Sequence, residues 1–174
     1  MLILYVISYR EKAPGQKECE SAVQRVNQAL REVNEAFLAT VSQNFQPLRH
    51  NTLQGFVQNS ENGVRNAEAL VDPVVNAGKC EAENLGHHVN SLVSVVDSLV
   101  GNVIGASSNI VDTNEQVRLL DNMKTILESA VPFICAAKES GGNPKAVNLH
   151  PELQSSAEVI FLLLTCIEYI YIHI

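Results

Sequence analysis

The stretch "AKESGGNPKA", residues 137–146, ends a helical run with two glycines and a proline. Gly141 or Gly142 can take the left-handed backbone conformation that commonly ends a helix, and Pro144 prevents the helix from resuming. Pro151 then suits the first turn of a new helix, because its missing N–H would be unsatisfied there anyway. The stretch therefore predicts a corner between two helices.

Apolar residues recur at spacings of three and four along the rest of the chain, which is typical of helices that bury one face. This spacing predicts five helices, at about 16–45, 52–77, 81–110, 113–140 and 151–170. Because short breaks between long helices favour antiparallel neighbours, we predict an all-α fold. It is an up-and-down antiparallel five-helix bundle that forms a single domain over residues 1–174. Thr113 followed by Gln116 predicts a capping box at the start of the fourth helix.

The two ends of the chain, residues 1–7 and 160–174, are atypical because they are almost wholly apolar. No cationic region precedes residues 1–7, which argues against a signal peptide. The apolar run 159–174 is short for a membrane span and contains Glu168, so we predict no membrane span. We expect a truncated or altered fifth helix that leaves part of its apolar surface exposed.

Composition excludes several classes of function. The chain is 46% hydrophobic but 5% aromatic, so its core must be aliphatic. The net charge of −7 and the scattered Lys and Arg residues argue against binding to nucleic acid, which needs a basic stripe. The four cysteines lack zinc-ligand spacing. We expect buried free thiols in a reducing cytoplasm, and neither a metal nor a cofactor.

The sequence contains no catalytic motif: it has no phosphate loop, nucleophile elbow, zinc-protease helix or EF-hand loop. His87 and His88 are helix neighbours that point about 100° apart, so we expect one exposed and one half-buried histidine rather than a metal site. The glutamates of the first helix lie on its polar face. We therefore predict that the protein is not an enzyme.

Four segments together resemble the rod of talin, the cytoskeletal adaptor that joins integrin tails to actin. They are "KAPGQKECESAV" (12–23), "ENLGHHV" (83–89), "LLDNMKTILESA" (119–130) and "AKESGGNPK" (137–145). The talin rod is a string of helical bundles in which such helix stops recur. The resemblance runs from about Ser8 to Val159, is closest to the ninth rod bundle, and makes the chain look like a fragment of a larger rod. Pro132 stands where the family has an apolar residue.

The resemblance implies that this bundle folds against the phosphotyrosine-binding-like subdomain of the talin head. That contact would mask the integrin-binding surface and keep talin autoinhibited. The acidic contact residue of the family's fourth helix matches Glu128, and Thr125 and Asp121 lie on the same face. Glu128 is also explained as an ordinary solvated helix charge.

The resemblance also implies a rival partner, vinculin, which binds talin helices that force exposes. The third helix is the candidate, with Leu92, Val96, Leu99 and Val103 as its contact residues. They are also explained as plain core, and the two interpretations are compatible because cryptic sites are core residues at rest.

A membrane-anchored helical protein that uses residues 159–174 is a further hypothesis, and a spacer that only transmits tension is another. The talin resemblance implies a cytoplasmic protein of the cytoskeleton and cell–matrix adhesions. Its partners would be the talin head, vinculin and the rest of the rod.

Overall fold

The structure, a computed structural model, describes residues 13–174, and within that range all regular structure is helical. Five helices follow one another along the chain: α1 (Gln16–Val41), α2 (Leu53–Cys80), α3 (Ala82–Asn109), α4 (Thr113–Ser140) and α5 (His150–Ile172). The predicted all-α five-helix bundle is confirmed. The expectation about residues 1–7 lies outside the described residues.

Helix α4 lies at the centre of the arrangement and contacts each of the other four helices. Helix α1 packs on α3 and α4, and α5 packs on α4 and α2. Among the described helices, the consecutive pair α1 and α2 makes no contact, so the 42–52 connection crosses one end of the bundle. The Gln16 amide donates to the Lys138 carbonyl at 2.9 Å, which joins the start of α1 to the end of the antiparallel α4.

The first helix ends at Val41, not near Phe45 as the apolar spacing predicts. Gln43 takes a positive φ of 57°, and the Asn44 N–H donates to the Ala39 carbonyl at 2.9 Å, which closes the helix end. Val41 is 52% exposed, so it lies outside the core.

The start of α4 also differs from the predicted capping box. Asp112, not Thr113, caps the helix: its carboxylate accepts from the Asn114 N–H at 2.7 Å. The Gln116 side chain donates to the Ile110 carbonyl at 2.8 Å, so it ties α4 to the end of α3.

The corner formed by residues 137–146 clamps the junction of α2 and α3. Gly141 and Gly142 both have positive φ, 57° and 72°, as a left-handed helix end requires. The Gly142 N–H donates to the Gly78 carbonyl at 2.8 Å, and a Cβ on Gly142 would lie 2.2 Å from the Ala82 nitrogen. Because any larger residue would clash with Ala82, this close approach explains why the second position of the Gly141–Gly142 pair is a glycine.

The fifth helix buries one stripe along its whole length and leaves another apolar stripe outside. Its buried positions include Leu153, Ile160 and Ile167. Residues 160–174 therefore contribute to the core, although they are apolar on both faces. The outer stripe is the exposed apolar surface that the sequence predicts, and α5 extends to Ile172, two residues beyond its predicted end.

By length and composition alone, α3 and α5 could each cross a membrane. Inside the bundle, half of the apolar window of α3 and a third of that of α5 are buried. Core helices of globular bundles pass the same test, so the absence of a membrane span stays a prediction.

Candidate functional site

The outer face of α4 brings together Asp121, Thr125 and Glu128, the three residues that the resemblance implies for head binding. They are spaced by four and three residues, which places them in one row along the helix. The Thr125 hydroxyl donates to the Asp121 carbonyl at 2.9 Å. The Glu128 side chain is 53% exposed, and the one ion pair it forms with residues 13–174, with Lys124, is loose at 4.0 Å. Glu128 is therefore available to a partner that offers a positive charge.

A depression of about 220 Å³ opens beside Glu128, between α4 and α5. Four of its lining residues come from α4 and two from α5: Thr125, Glu128, Ser129, Pro132, Ser156 and Val159. The sequence does not predict the two α5 residues as part of a site. No pattern in the sequence pairs them with Glu128, because only the antiparallel seam of α4 and α5 brings them there.

Pro132, which lines this depression, removes one hydrogen bond from α4. Helix α4 continues through Pro132, which has no N–H to donate to the carbonyl of Glu128 four residues earlier. The acceptor that the structure places at this depression is the half-exposed Glu128 carboxylate. The arrangement suits a partner that inserts a lysine or arginine side chain.

The four residues predicted for vinculin lie in the core. Their exposed fractions are 4% for Leu92, 5% for Val96 and 0% for both Leu99 and Val103. As the core interpretation requires, a partner reaches them only after α3 separates from its neighbours. This stripe is therefore inaccessible to a partner in the folded bundle.

One ion pair joins α3 to α1. The Arg25 guanidinium of α1 lies 2.6 Å from the Asp97 carboxylate of α3, and it also donates to the Ser94 hydroxyl at 3.2 Å. Both charged side chains are 38% exposed, so solvent screens the pair. The apolar core, rather than this ion pair, must hold most of α3 in place.

Charged groups also meet at the seam between α2 and α5. Arg65 lies 3.9 Å from Glu168, and burial, reinforced by the nearby Glu168 carboxylate, raises the pKa of Glu68. Burial raises the pKa of Tyr171, which is 7% exposed. Two carboxylates, Glu68 and Glu168, therefore share one cation, Arg65, at a contact between two helices that is structural in character.

Within residues 13–174, no group of three His, Cys, Asp or Glu residues is arranged to hold a metal ion. His87 is exposed and His88 half-buried, as the helical geometry predicts, with ring centroids 5.4 Å apart. Two imidazoles alone supply only half of the four ligands of a structural zinc site.

The cysteines depart from the expectation that all four are buried. Cys19 is fully buried, Cys135 and Cys166 are partly exposed, and Cys80 is exposed. Burial raises the pKa of the Cys19 thiol to about 12. The sequence could not separate these cases, because Cys80 sits at the end of α2 where the apolar stripe has already turned away.

Comparison with known proteins places this bundle in a family. The model of the family described as "Talin 1-like, rod segment domain" matches residues 15–167. That match extends eight residues beyond Val159, where the resemblance of the motifs stops.

Individual talins are also similar over most of the chain. Over 141 residues, which make up 81% of the chain, it is 41% identical to a talin of Oscarella pearsei. It is 36% identical over 155 residues to human talin-2 and 35% identical over 156 residues to chicken talin-1, each covering 89% of the chain. The chain spans about 6% of the length of each of these relatives. The chain therefore belongs to the talin rod segment family.

Proposed function

We propose that this chain is a non-catalytic adaptor module that acts in the cytoplasm, at cell–matrix adhesions, as part of a talin rod linking integrins to actin. The rod segment family and the helical bundle support this role. The ninth position in the rod is part of the proposal, and it rests on the resemblance of the four sequence motifs.

The specific activity proposed is binding of the phosphotyrosine-binding-like subdomain of a talin head, which autoinhibits integrin activation. The contact surface is the α4 row of Asp121, Thr125 and Glu128. The observation that carries it is the half-exposed Glu128 carboxylate at the rim of a depression. Within the part of the chain that the structure describes, its ion pair is a loose one, with Lys124 at 4.0 Å. A basic partner surface can replace that pair without breaking any buried contact of the bundle.

The test is a titration of the whole chain against the isolated head subdomain, with wild type and Glu128→Lys compared. Reversal of a charge inside a partly desolvated contact costs about 2–5 kcal/mol, which corresponds to a loss of affinity of about thirtyfold or more. Glu35→Lys is the matched control, because Glu35 is an exposed glutamate on α1. Glu20 is unsuitable, since it binds Lys138 of α4 at 2.8 Å. Equal binding by wild type and Glu128→Lys would remove Glu128 from the contact.

Salt provides a second readout of the same proposal. An exposed charge contact weakens as ionic strength rises, because counter-ions screen it within about 10 Å at 0.1 M salt. Affinity for the head subdomain should therefore fall between low and moderate salt. The thermal melts of both variants should stay close to wild type, since exposed helix positions tolerate Lys.

The second candidate function is a cryptic vinculin site on α3. The burial of its stripe meets the requirement of a cryptic site: Leu99 and Val103 are 0% exposed, so binding must wait for opening. Stretching single molecules with magnetic tweezers, with vinculin head in solution, tests it. We expect normal refolding without vinculin and blocked refolding with it. Unchanged refolding in its presence would contradict the vinculin site.

A further inference from the structure

The outward face of α5 carries an apolar stripe that no other described helix covers. Its exposed fractions are 47% for Val159, 66% for Leu162, 61% for Tyr169 and 76% for Ile172, and the partly exposed Cys166 lies between them. At about 1.5 Å per residue the stripe is about 20 Å long. The exposed Thr165 interrupts this row. Several large apolar side chains exposed on one helix face nevertheless usually mark a contact surface.

The stripe is symmetric along the helix. Counted along the sequence, Val159 and Ile172 are equally far from the midpoint between Thr165 and Cys166, and so are Leu162 and Tyr169. If a second α5 lies antiparallel on the first, Leu162 meets Tyr169 of the second copy at the centre of the contact, and Val159 and Ile172 flank that centre on opposite sides. A surface that matches itself after a two-fold rotation is what an isologous interface requires.

The charges at the ends of the stripe obey the same symmetry. Glu158 and His173 are both exposed and equally far from the same point. The antiparallel pairing therefore places a carboxylate opposite an imidazole at each end of the contact. A parallel pairing would instead place Glu158 against Glu158 of the second copy, which is unfavourable.

The position of α5 in the bundle leaves room for this contact. Among the described helices, α5 packs only on α4 and α2, so its outer side is free for a partner. We propose that this chain forms an antiparallel two-fold homodimer through the outer face of α5, and that the occupant of the apolar stripe is a second copy of the chain. A single helix pair buries less than the roughly 800 Å² per partner of a standard interface, so the dimer is weak and depends on concentration.

Sedimentation of the full chain at increasing concentration tests this proposal. Wild type should move from a mass of 19.0 kDa toward twice that value. Leu162→Glu should weaken dimerisation at least about tenfold, because it buries a carboxylate without a partner. Leu38→Glu is the matched control, since Leu38 is 61% exposed on α1, and it should dimerise like wild type. A wild type that stays monomeric, forms only larger aggregates, or responds equally to both substitutions would overturn the proposal.

Disulfide trapping tests the antiparallel register independently. Two variants, Leu162→Cys and Tyr169→Cys, are made in a chain whose Cys80, Cys135 and Cys166 are replaced by serine. When the two are mixed and mildly oxidised, the cross-link should join position 162 of one copy to position 169 of the other. Predominant cross-linking of each variant with itself would contradict the antiparallel pairing.

Discussion

The substitution Gly142→Ala should destabilise the bundle far more than its small size suggests. Gly142 has φ of 72°, and a non-glycine residue pays about 1–2 kcal/mol in that left-handed region. Its new Cβ would also lie 2.2 Å from the Ala82 nitrogen, so the corner must move away from the α2–α3 junction. That movement breaks the 2.8 Å bond from the Gly142 N–H to the Gly78 carbonyl, worth about 1 kcal/mol. We therefore expect a loss of about 3 kcal/mol.

Urea unfolding followed by circular dichroism measures this loss, and two other glycines serve as comparisons. Gly141 also has positive φ, but the nearest atom to its Cβ would be 3.4 Å away, so Gly141→Ala should lose only about 1 kcal/mol. Gly101 is helical with nothing within 4 Å of its Cβ, so Gly101→Ala should gain about 0.5–1 kcal/mol. A Gly142→Ala variant as stable as Gly101→Ala would refute the clamp.

Two further predictions concern the charge pair and the thiols. Arg25→Ala should lower the free energy of unfolding by about 1 kcal/mol or less in a urea titration, because solvent screens the 2.6 Å ion pair between Arg25 and Asp97. A much larger loss would mean that this ion pair, rather than the apolar core, holds α3 in the bundle. Cys80, which is exposed, should react with a thiol reagent at about pH 8 far faster than Cys19, whose burial raises its pKa to about 12 and so keeps it protonated. Equal labelling rates in the folded protein would contradict the position of Cys19 in the core.

The helices and their buried faces could be predicted from the sequence, because side chains three and four residues apart share one face of a helix. That spacing places Leu92 and Leu99 in the core, and both are buried. Helix ends were harder to predict. Val41 continues the spacing of α1, yet the turn at Gln43 ends the helix by a backbone conformation that apolar spacing does not encode.

The neighbours of α1 could not be predicted from loop length, although the other consecutive pairs, α2–α3, α3–α4 and α4–α5, pack together as short connections predict. A short connection suggests that α1 packs on α2, but these helices lie apart and α1 packs on α3 and α4. The candidate site depends on such pairings. Glu128 could be singled out through resemblance, whereas Ser156 and Val159 of the same depression belong to α5 and reach it only through the α4–α5 seam.

The most direct test of the proposed head contact is a map of the surface that changes when the head subdomain binds. The backbone amide resonances of the whole chain are followed by NMR during a titration with the unlabelled subdomain. The account predicts the largest shifts along α4, at Asp121, Thr125 and Glu128, with smaller ones at Val159 across the depression. Shifts centred on the outer face of α1, or none at any concentration of the subdomain, would contradict it.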